Sequence, residues 1–134
     1  MRVLIVHGPN MNLIGSQKLK DHNTLTLDKI NSKIRKSISS KKISIKIIQT
    51  HDENKIVSYI QKQRNKINHI IISLESWHYN GYILRDTLSI IKKPISFTLN
   101  EHKQSIFESM MNDSNTFIDS NYIDAYLESI QSLK

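Results

Sequence analysis

Residues 2–15 read RVLIVHGPNMNLIG, and their interpretation decides the fold. Val3, Leu4, Ile5 and Val6 form a continuous apolar run, which His7-Gly8-Pro9-Asn10 breaks before Leu13. A short apolar run ending in Gly-Pro is a buried strand entering a loop. A strand apolar on both faces suits the middle of a parallel sheet better than the edge of an antiparallel one. In open α/β sheets the loops at the carboxyl ends of the strands form the ligand crevice. His7, Asn10, Asn12 and Gly15 therefore stand at the leading candidate site of the chain.

Outward from this strand, the chain alternates. The polar, aperiodic stretch 16–23 (SQKLKDHN) reads as a mobile loop. Thr24 and Thr26 are candidate N-caps for a helix near 26–40, with Asp28 in its first turn and one stripe of Leu27, Ile30, Ile34 and Ile38. A second strand follows at 43–49, then a helix capped by Asp52 with a stripe of Ile56, Ile60 and Gln63. Residues 69–74 (HIIISL) are almost continuously apolar and so form a central third strand. After a loop at 75–79, Asn80 is expected to cap a helix carrying Ile83, Leu84, Leu88 and Ile91. Pro94 opens a fourth strand, PISFT. A short helix at 102–111, a brief strand at 116–119 and a helix at 122–133 complete the pattern. That last helix would face inward through Ile123, Tyr126, Leu127 and Ile130. Strict alternation of strands and helices implies right-handed crossovers and a parallel sheet. The expected architecture is a flavodoxin-like three-layer α/β sandwich with a central parallel five-stranded sheet, a single domain over 1–134 without repeats or linkers.

Composition narrows the function classes. A chain of 134 residues makes one domain with a substantial core. No apolar run approaches the ~20 residues of a membrane span, and the N-terminus shows no signal-peptide pattern. The absence of cysteine excludes disulfides, thiolate metal sites and thiol nucleophiles, and fits a cytoplasmic protein. A formal charge of +7 would suit an anionic partner. The basic residues are scattered, however, as at Lys33/Arg35/Lys36 and Lys62/Arg64/Lys66, with no interleaved aromatic platform. They read as solvated helix faces and loops rather than a nucleic-acid surface, so neither nucleic acid nor membrane is an expected partner. Ala125 is the only alanine among abundant Ile, Lys, Asn and Ser, which reflects coding bias rather than folding.

The carboxyl-end loops collect the polar residues that matter: Asn10, Asn12, Gln17 and His22 after strand one; Thr50, His51 and Glu53 after strand two. Strand three is followed by Ser73, Glu75, Trp77, His78 and Tyr79, and strand four by Asn100, Glu101 and His102. His22, His78 and His102 would make an acid–base cluster or a metal site if they converged. No HxxxH or HxH motif supports convergence, and exposed loop histidines are the plainer reading. The first loop is no phosphate cradle, since it has neither GxGxxG nor GxxxxGK and Pro9 removes an amide donor.

Residues 8–15, GPNMNLIG, are nearly the sequence GPNLNLLG, and on them the chain resembles the type II dehydroquinases, the 3-dehydroquinate dehydratases of the shikimate pathway. IIQT-HDEN at 47–54 is similar to that family's FQSN-HEGE, LRD at 84–86 matches its LRD, and Asn100/His102 match its N-x-H. The resemblance implies a cofactor-free, metal-free protein that acts on a small molecule and assembles into dodecamers built from trimers. The family reaction converts 3-dehydroquinate to 3-dehydroshikimate and water. Such an elimination needs a base for the proton α to the ketone, a group to hold the enolate, and an acid for the departing hydroxide. In the family these are a lid tyrosine with its pKa lowered by a lid arginine, an asparagine, and a histidine. A second histidine, another arginine and an aspartate bind the substrate.

Carried over by position, the resemblance places the lid arginine at Gln17 and the tyrosine base at His22. The enolate asparagine falls on Ser73, the substrate histidine on Tyr79 and the carboxylate-binding arginine on Glu108. The strand-four segment is two residues short, so the acid histidine aligns with Phe97 or with nothing. Asn10, Asn12 and Asp86 keep the family residue. A different gap placement does not repair several of these losses, since no tyrosine precedes Tyr59 and no arginine follows Arg85, although His78 stands one place from the substrate-histidine position. A lysine does not replace a bidentate guanidinium at equal strength. The expected crevice is lined by Asn10, Asn12, Gln17, His22, Ser73, Tyr79, Asn100 and His102, with Asp86 supplied by a neighbouring subunit. The expected protein is a family member of weak or absent activity. Two alternatives stay open: an enzyme of altered specificity using His22, His78 and Glu75 or Glu101, and a working dehydroquinase with His22 as base, whose reference pKa is about 6.5.

Overall fold

The first strand, β1 (Arg2–His7), is buried from Val3 to His7 and has a strand on each side. The structure, a computed structural model, describes residues 1–16 and 25–133. The other strands are β2 (Ser44–Gln49), β3 (His69–Ser73), β4 (Ile95–Leu99) and β5 (Thr116–Ile118). All pairings are parallel, in the order β2-β1-β3-β4-β5. Helices α1 (Leu27–Ile38) and α5 (Tyr122–Gln131) cover one face, and α2 (Glu53–Gln63) and α4 (Tyr82–Ile91) the other. The short α3 (Trp77–Asn80) precedes α4. The expected α/β sandwich is the observed one.

Alternation along each strand divides the core in two. Leu4, Val6, Ile70, Ile72, Phe97 and Leu99 pack toward Ile56, Ile60, Leu84 and Leu88. Val3, Ile5 and Ile71 pack toward Ile30, Ile34, Tyr126 and Ile130. The same parity turns His7, Ser73 and Thr98 toward α1 and α5 at the carboxyl edge of the sheet. Two caps act as the sequence implied: Thr26 accepts from Lys29 N at 3.2 Å, and Asp52 from Lys55 N at 3.3 Å. Thr24 lies outside the described residues.

Four local expectations are corrected. Asn80 does not cap α4; it ends α3, and the α4 N-cap is Gly81, which makes no side-chain cap bond. The orphan amide of Leu84 is instead satisfied by Glu53 Oε2 at 3.0 Å, across from α2. Ile83 points outward at 53% exposed, and Thr87 is buried in the stripe with Leu84 and Leu88. The expected helix at 102–111 is only a 3₁₀ turn, Glu108–Met110. Ile106 N donates to His78 O, and Ser105 Oγ accepts from Phe107 N, which seats Phe107 fully in the core. Docking of that side chain overrides local helix propensity. Finally, α5 buries Tyr122, Ala125, Tyr126, Ser129 and Ile130, while Ile123 and Leu127 are only half-buried. The Tyr122 hydroxyl, held by Glu75 and the Thr98 carbonyl, fixes that rotation. Among the described residues, no helix is long and apolar enough to cross a membrane.

Candidate functional site

Where β1 ends, the chain passes so close to β3 that a side chain at Gly8 has no room. A Cβ there would lie 2.5 Å from Ser73 O and 2.8 Å from Leu74 O, both backbone atoms. Gly8 N donates to Ser73 O at 2.9 Å, and the chain turns into a 3₁₀ segment, Met11–Ser16. Asn10 takes the left-handed conformation, φ 67°, which asparagine tolerates better than most residues, and its amide donates to His51 Nδ1 at 3.1 Å. A crevice of about 480 Å³ opens above this turn. Its described polar lining is Asn10, Asn100, Glu75 and Tyr122, set against Pro9, Met11, Leu13 and Ile14.

Beneath the crevice lies a closed polar layer. His7, Ser73, Thr98 and Tyr126 are each at most 1% exposed. His7 Nε2 meets Asn31 Oδ1 at 2.8 Å and His7 Nδ1 meets the Tyr126 hydroxyl at 2.7 Å. With the Asn31 carbonyl oxygen as acceptor, Nε2 carries the imidazole proton and Tyr126 donates to Nδ1. Tyr126 then accepts from Ser73, and Ser73 accepts from Thr98 Oγ1 at 2.5 Å. Each hydroxyl donates once, so one directional chain runs from β4 to α1. Burial drives the His7 pKa down to about 4 against the support of Asn31, so the ring is neutral. Burial also pushes the Tyr126 phenol well above its ordinary range.

A second polar group stands at the mouth. Glu75 also has a left-handed backbone, φ 52°, strained for a residue with this side chain. Tyr122 donates to Glu75 Oε1 at 2.7 Å, and Lys103 Nζ lies 3.5 Å from Oε2. Burial, with Tyr126 and Glu75 nearby, raises the Tyr122 pKa, so this phenol keeps its proton and remains a donor. Tyr122 and Tyr126 stack at 5.5 Å between ring centroids, which links the mouth to the layer below.

The crevice gathers only part of the expected set. Asn10 and Asn100 line it. Asn12 is exposed on the 3₁₀ turn, and Tyr79 is 57% exposed on α3. Ser73 is sealed below the floor rather than presented to a ligand. Asp86 sits on the outer side of α4, paired with Arg85 at 3.2 Å. His102 and Glu108 share a separate hollow of about 210 Å³ with Lys103 and Ser105. Gln17 and His22 lie outside the described residues. Phe97, where the acid histidine would align, is buried edge-on against Phe107.

His78 does not join His102. It is 1% exposed, its Nδ1 meets Ser105 Oγ at 2.7 Å, and burial together with the Lys103 charge lowers its pKa to about 4. Among the described residues no three His, Cys, Asp or Glu side chains are placed to hold a metal ion. Sequence reasoning missed Tyr122 as a mouth residue and treated Tyr126 as ordinary helix packing. The available signal was parity: His7, Ser73 and Thr98 share one face of adjacent strands, and such polar groups need a buried donor opposite them.

The chain matches the family described as dehydroquinase class II over residues 1–125. A 3-dehydroquinate dehydratase from Halothermothrix orenii is 32% identical over 94 residues, covering 70% of this chain and 64% of that protein. One from Roseiflexus castenholzii is 28% identical over 95 residues, covering 71% and 60%. These alignments thus span less than two thirds of either relative's length. The crystal structure of a type II dehydroquinase from Butyrivibrio crossotus superposes with a TM-score of 0.83 at 22% identity, covering 98% of this chain and 95% of that one.

Proposed function

The chain belongs to the class II dehydroquinase family, and from that premise we propose that it keeps the family's crevice while dehydrating 3-dehydroquinate weakly or not at all. The observation that carries this reading is the closed layer below the floor. Ser73 stands where the resemblance puts the enolate-stabilising asparagine, and its hydroxyl is committed to Tyr126 and Thr98 out of reach of a ligand. An enolate there has no donor from that position. The loss of one such contact is worth on the order of 10²–10³ in rate.

Other positions support the same reading. The described phenols nearest the crevice, Tyr122 and Tyr126, are held protonated and cannot serve as bases at neutral pH. Phe97 is sealed in the core, and Glu108 is an acid where the resemblance calls for a cation. His78, offered by the altered-enzyme alternative, has its Nδ1 engaged and its ring buried, which speaks against it. His22 as a substitute base is the remaining way to a working enzyme.

The test is direct. Purified protein incubated with 3-dehydroquinate is expected to yield no conjugated enone of 3-dehydroshikimate, or to yield it several orders of magnitude more slowly than the family chemistry supports. Robust turnover abolished by His22→Ala would overturn the reading and assign the base role to the imidazole. The family resemblance also makes a homo-oligomer part of the proposal, and sedimentation velocity checks it: a monomer alone would count against a retained assembly.

A further inference from the structure

The mouth of the crevice carries a carboxylate held in a strained conformation, and nothing in the proposed chemistry uses it. We propose that Glu75 determines which ligands the crevice takes, admitting neutral polyhydroxylated rings and turning away their carboxylate counterparts. This rests on the reading of the crevice as the family's binding site, and concerns what this chain's own residues select there.

Three observations carry it. First, Glu75 is fixed rather than mobile. Its backbone sits at φ 52°, its carbonyl accepts from His78 N at 3.0 Å, and both carboxylate oxygens are engaged, Oε1 by Tyr122 and Oε2 by Lys103. Second, the neighbouring cation is already claimed. Lys103 lies 3.5 Å from Oε2 with its side chain largely covered, and no Lys or Arg is among the described residues that line the crevice. Among the described residues, an entering carboxylate therefore faces Glu75 without a cationic partner of its own or displaces it from Lys103 and Tyr122. Third, the rest of the lining suits hydroxyl groups on an apolar ring. Asn10 and Asn100 can each donate and accept, and Glu75 keeps acceptor sites beyond the two in use. Met11, Leu13 and Ile14 offer aliphatic surface. A ligand hydroxyl can donate to Glu75, whereas an ionised carboxylate brings only acceptors and a like charge.

The experiment is calorimetric titration at pH 7 with quinate and with its carboxamide, which share one ring and differ in charge. The unmodified protein is expected to bind the carboxamide more tightly, by up to about fivefold. That is the repulsion of two unit charges ~4 Å apart at the dielectric of bulk water. In Glu75→Gln, a nearly isosteric change, quinate should tighten until the preference for the carboxamide is lost, while the carboxamide stays nearly unchanged. Lys103→Met offers a second handle that leaves Glu75 in place. Stripping the carboxylate of its cation should widen the preference for the carboxamide. Equal affinities for the two rings, a preference unmoved by either substitution, or binding of neither ring to any of the three proteins overturns the inference. Turnover of 3-dehydroquinate by the unmodified protein would instead overturn the reading of lost dehydration, and the affinity ratios would still decide the role of Glu75.

Discussion

Tyr126 shows how one residue can set the character of a site it does not line. Its hydroxyl is both donor to His7 and acceptor from Ser73, so it closes the polar layer under the crevice. Removing that oxygen leaves a buried imidazole nitrogen and a buried hydroxyl short of a partner, out of contact with solvent. Tyr126→Phe should cost about 1–3 kcal/mol, the penalty for buried polar groups left unpaired. Urea unfolding checks this as a shift in midpoint at unchanged slope, and a loss below about 0.5 kcal/mol would mean that the layer contributes little. Gly8 is constrained in a different way. Gly8→Ala would push a Cβ into two backbone carbonyls, which cannot swing aside as a side chain can, and should destabilise by roughly 1–3 kcal/mol or more. The loop residue Asn10 was legible in the sequence because Gly-Pro-Asn after an apolar run marks a strand end. Tyr126 was not, because its aromatic ring satisfies a helix's apolar stripe whether or not its hydroxyl has a task.

At the scale of elements, α4 departs most instructively from what its sequence suggested. Asn80 is a residue type favoured at N-caps, yet it closes the turn before the helix. Gly81 follows because Trp77 approaches too closely for any Cβ, 2.9 Å from its own Cβ. The capping acceptor then arrives from another helix, through Glu53. Glu53→Ala should therefore cost about 1 kcal/mol, as loss of a cap does, whereas Asn80→Ala should change stability by no more than about 0.5 kcal/mol. Chemical denaturation of the two variants side by side distinguishes these caps, and a larger cost at Asn80 would restore the local reading. Segment 102–111 teaches the same lesson, since its backbone is drawn onto α3 by Ser105, Ile106 and His78 and closes only the bonds of a 3₁₀ turn on itself.

For the whole molecule, the buried imidazoles make stability depend on pH. An unfolded histidine takes up its proton near pH 6.5, while folded His7 and His78 resist it until about pH 4. Between those values the unfolded chain binds more protons, so stability falls as the pH falls. The contribution is fully present above about pH 6.5 and gone below about pH 4, and amounts to roughly 3 kcal/mol for His7 alone. Urea unfolding at pH 7 and pH 4.5 should show this loss, and His7→Gln should shrink it; an equal loss in the variant would remove His7 as its source. Strand positions and their parallel, alternating order were determined by the sequence by itself, because apolar periodicity and Gly-Pro punctuation are local properties of the chain. The layer joining residues 7, 73, 98 and 126, the cap that Glu53 gives α4, and the pairing of Glu75 with Tyr122 and Lys103 at the mouth were decided only by the tertiary structure. Each depends on the register between neighbouring strands or on how a helix rotates against them, and both are set by contacts between residues far apart in the chain.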